Sequence, residues 1–546
     1  MKGTLMFSRR SFLATSSAAT GLALSLAACS SDGGGDDPVD VADLSTGAMD
    51  DYAVGTQFTA TEPFDLPILF NDNAAYPYRE DWLFWSELTK LTNVTLKPTI
   101  VPMSDYEQKR SLLVSAGDAP YVIPKTYPGQ ESAFVTSGAI LAISDYVEHM
   151  PNYQDKVSTW GLEEEIERLK QQDGKYYVMP GLHEEVWPDY TLAYRVDVLE
   201  ELGLPEPTTW DELTEVYRRV REAKPEMWPL SDRFKGDCLL GLVAASHGVG
   251  SGWGLGDGVV RDEPGSDTLV FGPQQDEYRA MTEWFATGVA EKLIDPESFT
   301  QEDDPAVQKF VTGKSFSIAT NSQNLIDYRT GLIENVGEKA VVKKMLLPGG
   351  PRGQVMAGSR LENGVMFTAE MAEDEHFLAI LQFFDWLWYS DAGQEFAKWG
   401  VEGVTFEREG DKRVPAADVT FLGINPEGTK DLRKDFGFSG GNYAYGGTTE
   451  LLRSTMNDEE VAWQEEMAAG HEPAEPLPPY PFDEIQQEDA TLVVTPLTDF
   501  VSQSTLKFTT GQRDLAEWDA FVTECDDNGA STYMDIVHEA QDAFAG

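Results

Sequence analysis

The chain has 546 residues, and a single hydrophobic core stops growing at roughly 250–300 residues, so at least two domains are expected. Hydrophobic residues make up 41% of the sequence and aromatic residues 11%, which excludes global disorder. The formal net charge is −52, and a field of that sign repels phosphate backbones, so we expect no nucleic acid partner.

Residues 1–28 have the pattern of an export signal. A basic end with Lys2, Arg9 and Arg10 precedes an apolar stretch of small residues, and no acidic residue interrupts it. The paired arginines resemble a twin-arginine signal, which exports proteins already folded. The apolar stretch is too short and too rich in Ser, Thr and Ala to predict a permanent transmembrane helix.

The signal ends in the sequence LAAC at Cys29, which resembles a lipoprotein box. The interpretation is that Cys29 is lipidated and becomes the first mature residue; an ordinary secretory cleavage site is the alternative. Gly, Asp and Ser dominate residues 30–45, so residues 29–57 are predicted to form a flexible acidic tether. The predicted location is therefore the extracytoplasmic face of the cell membrane, with a lipid anchor.

From about residue 58 onward, strand-like apolar runs alternate with helical patterns. A buried strand is predicted at 64–70 and a second one, rich in β-branched residues, at 93–101. Further strands are predicted at 175–180, 191–195, 315–319, 341–347 and 364–369. This alternation predicts an α/β fold with largely parallel sheets.

One predicted helix has clear start signals. Thr209 can cap its first turn, and Glu212, three residues later, can reach back to form a capping box. The apolar positions that follow form one stripe at helical spacing: Trp210, Leu213, Val216, Tyr217 and Val220. The stripe predicts a helix that packs on a sheet.

The search for catalytic and metal-binding motifs is negative. The sequence contains no HExxH and no CxxC, and its six histidines have no metal-ligand spacing. A stretch ending Gly313-Lys314-Ser315 has Gln308 where a phosphate loop requires glycine, and the glycine-rich run 248–258 does not match GxGxxG. No catalytic residue, metal or cofactor is therefore predicted. Cys238 and Cys525 are interpreted as free, buried thiols.

Six segments, taken in chain order, resemble one family: the large extracellular solute-binding lipoproteins of ABC importers, in the branch linked to carbohydrate and oligosaccharide uptake. The segments are SLLVSAGDAPYVI (111–123), DGKYYVMP (173–180), YRVDVLEELGLPEPTTWDELTEVYRRV (194–220), FVTGKSF (310–316), WGVEGVTFE (399–407) and LKFTTGQRDLAEWDAFVTECDDNGASTYMDIVHEA (506–540). Each match is loose, but their order is specific.

The resemblance implies a two-lobed, periplasmic-binding-protein-like (type II) α/β fold that holds its ligand in the cleft between the lobes. The N-terminal lobe is expected to contain residues 58–184 and 352–405, and the C-terminal lobe residues 185–351 and 406–546. The implied function is non-enzymatic: a monomer that captures a carbohydrate, expected to be an oligosaccharide, and delivers it to the membrane permease. An exported polysaccharide-active enzyme and a receptor for peptides or metal complexes are the alternatives.

The sequence departs from the family pattern at two places. The family often carries a calcium loop after the helix that follows Thr209, but residues 221–231 are shorter and lack its carboxylates, so no calcium is expected there. Tyr121 stands where the family has an aspartate, which points to a different ligand preference if this segment lines the cleft.

Sugar ligands present apolar faces that stack on aromatic rings and hydroxyls that need directional hydrogen bonds. The tryptophans in helical patterns, Trp284, Trp386, Trp388 and Trp518, are interpreted as core residues. The candidate ligand contacts instead lie in loops that follow predicted strands. They are Asn71, Asn73, Tyr76, Tyr78, Trp187, Tyr190, Trp253, Asn321, Gln323, Trp399, Glu402, Tyr443 and Tyr445.

Overall fold

The computed structural model describes residues 41–252, 255–410 and 412–545. The predicted export signal 1–28 and the predicted lipidation site Cys29 lie outside the described residues. Residues 41–57, however, are described, and they pack onto folded protein. Met49 and Tyr52 contact the first hydrophobic core, and the Tyr52 hydroxyl donates to Asp385 Oδ2 at 2.9 Å. The predicted tether 29–57 is therefore too long at its C-terminal end, because these apolar side chains are bound to the core.

The described residues form 18 strands. In chain order they are β1 (Phe64–Asp72), β2 (Val94–Pro102), β3 (Val122–Thr126), β4 (Met179–His183), β5 (Thr191–Arg195), β6 (Trp228–Leu230), β7 (Val259–Arg261), β8 (Leu269–Phe271), β9 (Ser315–Thr320), β10 (Val342–Lys344), β11 (Val355–Met356), β12 (Leu361–Phe367), β13 (Phe406–Glu409), β14 (Lys412–Pro415), β15 (Val419–Thr420), β16 (Lys430–Asp431), β17 (Gly446–Gly447) and β18 (Glu472–Pro473).

The same residues form 18 α-helices. In chain order they are α1 (Leu83–Thr92), α2 (Tyr106–Ala116), α3 (Ser132–Val135), α4 (Pro151–Trp160), α5 (Glu163–Glu167), α6 (Val196–Glu201), α7 (Trp210–Ala223), α8 (Asp237–His247), α9 (Asp276–Ala290), α10 (Asp303–Val311), α11 (Ser322–Asn335), α12 (Phe377–Tyr389), α13 (Asp391–Trp399), α14 (Thr449–Ser454), α15 (Asp458–Gly470), α16 (Glu484–Thr509), α17 (Trp518–Asp527) and α18 (Ala530–Ala545).

The larger sheet has six strands in the order β17-β4-β12-β3-β1-β2. Strands β1 and β2 pair in parallel along their whole length, from Phe64 opposite Val94 to Asp72 opposite Pro102. The main core beside this sheet is formed with helix α12, which is buried along nearly all of its length, including Trp386 and Trp388. Both tryptophans are therefore core residues, as predicted.

The smaller sheet has four strands in the order β10-β5-β9-β6, and every residue of β5 and β9 is buried. Helix α7 packs on its core through the five predicted apolar positions, all of which are buried. Thr209 caps this helix, since its Oγ1 accepts from the Glu212 backbone N–H at 3.2 Å. The Glu212 carboxylate reaches back one residue further than predicted, to the backbone N–H of Thr208 at 2.8 Å. The two cores confirm the two-lobed α/β fold.

Both sheets are mixed, so the prediction of largely parallel sheets is wrong. Strand β12 runs antiparallel to both of its neighbours, β3 and β4, and β5 runs antiparallel to β9 and β10. Each of these two strands begins just after the chain has passed from one sheet to the other, and it runs against the strands beside it. Strand β4 also begins later than predicted, at Met179, because Tyr176 hydrogen-bonds Ser144 instead of a neighbouring strand.

The lobe boundaries also differ from the expectation. Residues 406–546 were all expected in the C-terminal lobe, yet β17 lies at the edge of the first sheet, and Val419, Leu432 and Phe438 are buried in the first core. The chain therefore stays with the first core through residues 416–447 before it contributes α15–α18 to the second core. Cys238 and Cys525 are free and buried, which confirms their interpretation.

Candidate functional site

A cleft of about 650 Å³ lies between the two sheets. The first sheet contributes residues at the ends of β3, β4 and β12, together with the segment before β17. The second sheet contributes helix α8, the start of α11 and the residues around β11. The chain passes between the sheets in three places, at residues 184–190, 348–360 and 448–457, and each of these segments contributes residues to the cleft wall. The cleft is therefore the natural site for a ligand.

Six of the thirteen predicted ligand contacts line this cleft: Trp187, Tyr190, Asn321, Gln323, Tyr443 and Tyr445. Trp187, Tyr190 and Tyr445 are half-buried, so each keeps some ring area available to a ligand. The Asn321 side chain caps helix α11 by accepting from Asn324 N at 2.9 Å.

The glycines around Tyr445 have a structural cause. Gly446 has φ +78°, and a Cβ there would lie 2.1 Å from the Leu182 carbonyl oxygen. Only glycine lets this segment approach β4 so closely, and the approach fixes Tyr445 in the wall of the cleft.

Three other predicted contacts, Asn71, Asn73 and Tyr76, line a small crevice beside the cleft instead of the cleft itself. The Asn73 amide donates to the Tyr76 hydroxyl at 3.1 Å, so these two side chains satisfy each other. Tyr443 lies on the walls of both the crevice and the cleft. The remaining candidate from a loop, Trp253, lies outside the described residues.

Tyr78, Trp399 and Glu402 lie away from the cleft, contrary to the expectation. Tyr78 packs in an aromatic cluster with Phe70, Trp82 and Trp85. Trp399 is buried and donates its indole N–H to Ser454 Oγ at 2.9 Å, and Glu402 is exposed and pairs with Arg408 at 3.2 Å. Core packing accounts for the two aromatic residues and a surface ion pair for the carboxylate.

The cleft also contains charged and aromatic residues that sequence reasoning missed. These residues are Tyr127, His183, Asp189, Glu362 and Lys398. They come from different elements that are far apart in the chain, and each is of a residue type common on protein surfaces. No local sequence signal distinguishes them, since the fold alone brings them to one cleft.

Asp189 and Glu362 mark the acidic part of the cleft, near Tyr445. Burial raises the pKa of Tyr445 to about 12, with further contributions from Glu362 and then Asp189. Lys125 lies over the Tyr445 ring, with its Nζ 4.8 Å from the ring centroid. Burial lowers the pKa of Lys125, while nearby Tyr127, Tyr76 and Glu362 oppose that shift. The Lys125 ammonium and the Glu362 carboxylate are therefore close to each other beside Tyr445.

Lys398 and His183 form a second pair, and no carboxylate balances it. The Lys398 ammonium donates to the Ala444 carbonyl oxygen, and burial lowers the pKa of Lys398 to about 7. His183 is 5% exposed, and neither of its ring nitrogens has a hydrogen-bond partner. Burial and then the Lys398 charge lower the pKa of His183 to about 3, so its imidazole is neutral at physiological pH.

Three residues other than glycine adopt left-handed backbone conformations at this site. They are Lys125 (φ +59°), Ser439 (φ +57°) and Ala444 (φ +53°). Such conformations cost about 1–3 kcal/mol each and cluster at functional sites, where the surrounding structure holds them in place. Ser439 and Ala444 line the cleft directly, which supports its role as a binding site.

Residues 437–441 read GFSGG and thus fit the G-x-S-x-G pattern of hydrolase nucleophiles. In hydrolases this pattern needs a sharp turn from a strand into a helix and a histidine partner for the serine. Here the segment lies in a loop, and in the described part of the chain the Ser439 hydroxyl has no histidine as a hydrogen-bond partner. Neither feature of a nucleophile elbow surrounds Ser439.

Replacing Lys398 with methionine is expected to stabilise the folded protein at and below pH 7. The pKa of Lys398 falls from its ordinary 10.5 to about 7 on folding, so between these values only the unfolded state is protonated. Wild-type stability therefore falls as the pH drops towards 7, and the penalty is complete below 7. Allowing for screening by water in the cleft, the gain is about 1–3 kcal/mol at pH 6.

Urea unfolding of both proteins at pH 6 and pH 10.5 measures this effect. The gain from Lys398→Met is expected to be present at pH 6 and to be nearly gone at pH 10.5, where the wild-type lysine is neutral in the folded state and only about half protonated in the unfolded state. A variant less stable than the wild type at pH 6 would contradict the unpaired charge.

The described residues hold no group of three or more His, Cys, Asp or Glu side chains arranged to bind a metal ion. None of their helices combines the length and the apolar character that crossing a membrane requires.

Comparison with known proteins identifies a matching family and a curated relative. Residues 76–340 match the family model described as bacterial extracellular solute-binding protein. The polygalacturonan/rhamnogalacturonan-binding protein YtcQ of Bacillus subtilis is 25% identical over 340 residues. That alignment covers 60% of this chain and 64% of YtcQ, so the chain spans less than two thirds of the relative's length.

Solved structures share the fold over most of the chain. The alginate-binding protein AlgQ2 superposes with a TM-score of 0.68 at 18% identity, covering 90% of this chain and 99% of AlgQ2. An HMO-binding solute-binding protein from Bifidobacterium longum infantis gives 0.65 at 16% identity, covering 89% and 99%. The Streptococcus pneumoniae protein FusA in complex with kestose gives 0.63 at 16% identity, covering 88% and 99%. Residues 76–340 thus match the bacterial extracellular solute-binding protein family, and most of the chain shares the two-lobed fold of these solved structures.

Proposed function

We propose that this protein is the substrate-binding component of an ABC importer that captures an oligosaccharide outside the membrane and delivers it to the permease. The observation that carries the proposal is the inter-sheet cleft of about 650 Å³, with half-buried aromatic rings beside hydrogen-bonding side chains. Trp187, Tyr190 and Tyr445 offer stacking area, and Asn321, Gln323 and Asp189 offer directional contacts. The names of similar proteins agree with it: one is a polygalacturonan/rhamnogalacturonan-binding protein, one an alginate-binding protein, and one was solved in complex with kestose.

The proposal includes the location and the transport step. A lipid on Cys29 would hold the protein at the extracytoplasmic face, as a monomer, while the two lobes close on the ligand. Closure is favoured when the ligand contacts both lobes at once, and here the wall residues come from both sheets. The energy for import would come from a partner ATPase, because the sequence carries no phosphate-loop motif.

A calorimetric and thermal-shift screen with oligosaccharides tests the function. Ligand binding is expected to raise the melting temperature, because a ligand at about 100 times its Kd stabilises the folded state by about 2.7 kcal/mol. Chromatography of the same mixtures is expected to show the sugars unchanged. Hydrolysis products would instead support the enzyme alternative, and binding of peptides without sugars would support a peptide receptor.

Matched tryptophan variants locate the site. Trp187→Ala removes a ring from the cleft wall and is expected to weaken sugar binding at least tenfold, or about 1.4 kcal/mol. Trp228→Ala is the control, since Trp228 is also half-buried but lies on strand β6, under the Arg221 guanidinium and away from the cleft. Equal loss of binding in both variants would contradict the assignment of the cleft.

A further inference from the structure

Lys398, in the cleft, differs in its partner from other lysines that lie largely within the protein. Lys344 and Lys156 each face a carboxylate oxygen at 2.6 Å, from Glu460 and Asp391 respectively. Among the described residues, the Lys398 ammonium has only the neutral Ala444 carbonyl oxygen as a partner. An ammonium taken out of water without a counter-charge is costly, so this arrangement needs an explanation.

His183 gives a second, independent observation. Its side chain lines the cleft, is more than nine-tenths buried, and leaves both ring nitrogens without a hydrogen-bond partner. Buried polar groups in folded proteins are nearly always satisfied, and an exception in a binding cleft indicates a partner supplied by the ligand. A neutral imidazole has one N–H donor, which can donate to an anionic oxygen beside the Lys398 ammonium.

The charge of the ligand group that would contact Lys398 and His183 follows from the residues around it. One ammonium and one neutral imidazole match a single negative charge, which is the charge of a carboxylate. A phosphate carries a higher charge and is typically held by arginine forks or several cationic groups. Asp189 and Glu362, in the same cleft, would repel a more highly charged ligand but can accept hydrogen bonds from sugar hydroxyls.

We propose, on the basis of the carbohydrate-binding function above, that the cleft selects oligosaccharides that contain a uronic acid, with the uronate carboxylate held by the Lys398 ammonium and the His183 ring N–H. The acidic part of the cleft, Asp189 and Glu362, faces the hydroxyls of the sugar. The ligand thereby supplies the counter-charge that the folded protein leaves out. This arrangement also fixes the direction in which the glycan lies, because the two parts of the cleft have opposite charge.

The proposal implies proton uptake on binding. The free lysine is partly neutral near pH 7, and a bound carboxylate favours its charged form. The other titratable groups that line the cleft come from several elements: His183 from β4, Asp189 and Tyr190 between β4 and β5, Glu362 from β12, Tyr127 after β3, Cys238 from α8, and Tyr443 and Tyr445 from the segment before β17. Affinity for the acidic ligand is therefore expected to fall as the pH rises from 7 to 9.

Calorimetry on the full chain tests the proposal with matched ligand pairs. The probes are trisaccharides of galacturonate, glucuronate and mannuronate, each compared with its neutral methyl ester and with a sulfated trisaccharide. At least one free acid is expected to bind about 10- to 100-fold more tightly than its ester, the range for a charged hydrogen bond. Lys398→Met is expected to remove that preference while changing affinity for the ester less than about threefold.

The controls separate this proposal from the function it rests on. Lys156→Met removes an equal charge from an already paired lysine outside the cleft, and is expected to keep the preference for the acid. Calorimetry in two buffers of different ionisation enthalpy is expected to show proton uptake at pH 8 in the wild type and none in Lys398→Met.

Each other outcome overturns a defined claim. Binding of neutral or sulfated glycans with no preference for the acid overturns the uronate site and leaves the carbohydrate function standing. An equal loss for acid and ester in Lys398→Met, with an unchanged melting profile, overturns the role of Lys398. Binding of no oligosaccharide at all overturns both proposals.

Discussion

Replacing Asp385 with alanine is expected to lower the free energy of unfolding by about 3–5 kcal/mol. Asp385 is fully buried on helix α12 and accepts four hydrogen bonds. Its donors are the Tyr52 hydroxyl (2.9 Å), the Asn152 backbone N–H and side-chain amide (3.0 and 2.6 Å), and the Tyr153 backbone N–H (2.8 Å). The alanine variant leaves these donors without an acceptor inside the protein.

The size of the effect follows from where those donors lie. Asn152 and Tyr153 are in the first turn of helix α4, whose preceding residue, Met150, provides no side-chain cap. Asp385 therefore caps this helix from a distant part of the chain, and it also holds residues 41–57 against the core through Tyr52. Caps contribute about 0.5–2 kcal/mol, and each unsatisfied buried donor costs about 1–3 kcal/mol.

Urea unfolding at pH 7 measures the loss. Asp385→Asn keeps one carbonyl acceptor and is expected to lose only about 1–2 kcal/mol, and Tyr52→Phe, which removes a single bond, about 1 kcal/mol. A loss below about 1 kcal/mol in Asp385→Ala would show that water replaces the carboxylate and that α4 needs no cap from α12.

Asp385 also shows why part of the fold escaped prediction. The first apolar run, at 64–70, and the capped helix after Thr209 were predicted correctly, because periodicity and capping are local signals. The packing of residues 41–57 was missed, since their Gly- and Asp-rich beginning looks like a tether and the groups that hold them lie more than 300 residues away. No local signal shows either that residues 416–447 pack with the first core instead of the second.

The residues of the candidate site also divide into those that a local sequence pattern indicates and those that only the fold brings to the cleft. Trp187, Tyr190 and Tyr445 were predicted as ligand contacts because they are aromatic residues in loops after strands; the structure places them in the cleft wall, and their contact with a sugar stays a prediction. Lys398 was not found, since a lysine on an amphipathic helix ordinarily faces solvent. Only the three-dimensional structure shows that this lysine faces the cleft and that no carboxylate of the described residues pairs with it. Its function therefore depends on a missing contact, which no sequence pattern encodes.

Unlike Lys398, the buried Lys344 is paired with a carboxylate, that of Glu460. Breaking this pair is expected to have the second large effect on the free energy of unfolding. Their side chains are 2% and 4% exposed, and their charged atoms lie 2.6 Å apart, with the Lys344 Nζ also 3.4 Å from the Trp463 ring centroid. Burial raises the pKa of Glu460, and the Lys344 charge opposes that shift. The pair joins strand β10 to helix α15, beside the first passage of the chain between the sheets.

Glu460→Ala is expected to lower the free energy of unfolding by about 3–5 kcal/mol, because it leaves the Lys344 ammonium buried without its partner. The double variant Lys344→Met/Glu460→Met is expected to recover most of that loss, since two apolar side chains replace the pair; urea unfolding of the three proteins gives the coupling energy.

The nearest remaining carboxylate for Lys344 is Asp189, at 3.7 Å, so Glu460→Ala is also expected to draw Asp189 away from the cleft and weaken ligand binding. Substitution of methionine for lysine thus has opposite expected signs in one protein: it destabilises at Lys344, whose counter-charge is built in, and stabilises at Lys398, whose counter-charge arrives with the ligand. Stabilisation by Lys344→Met alone at pH 7 would contradict this distinction.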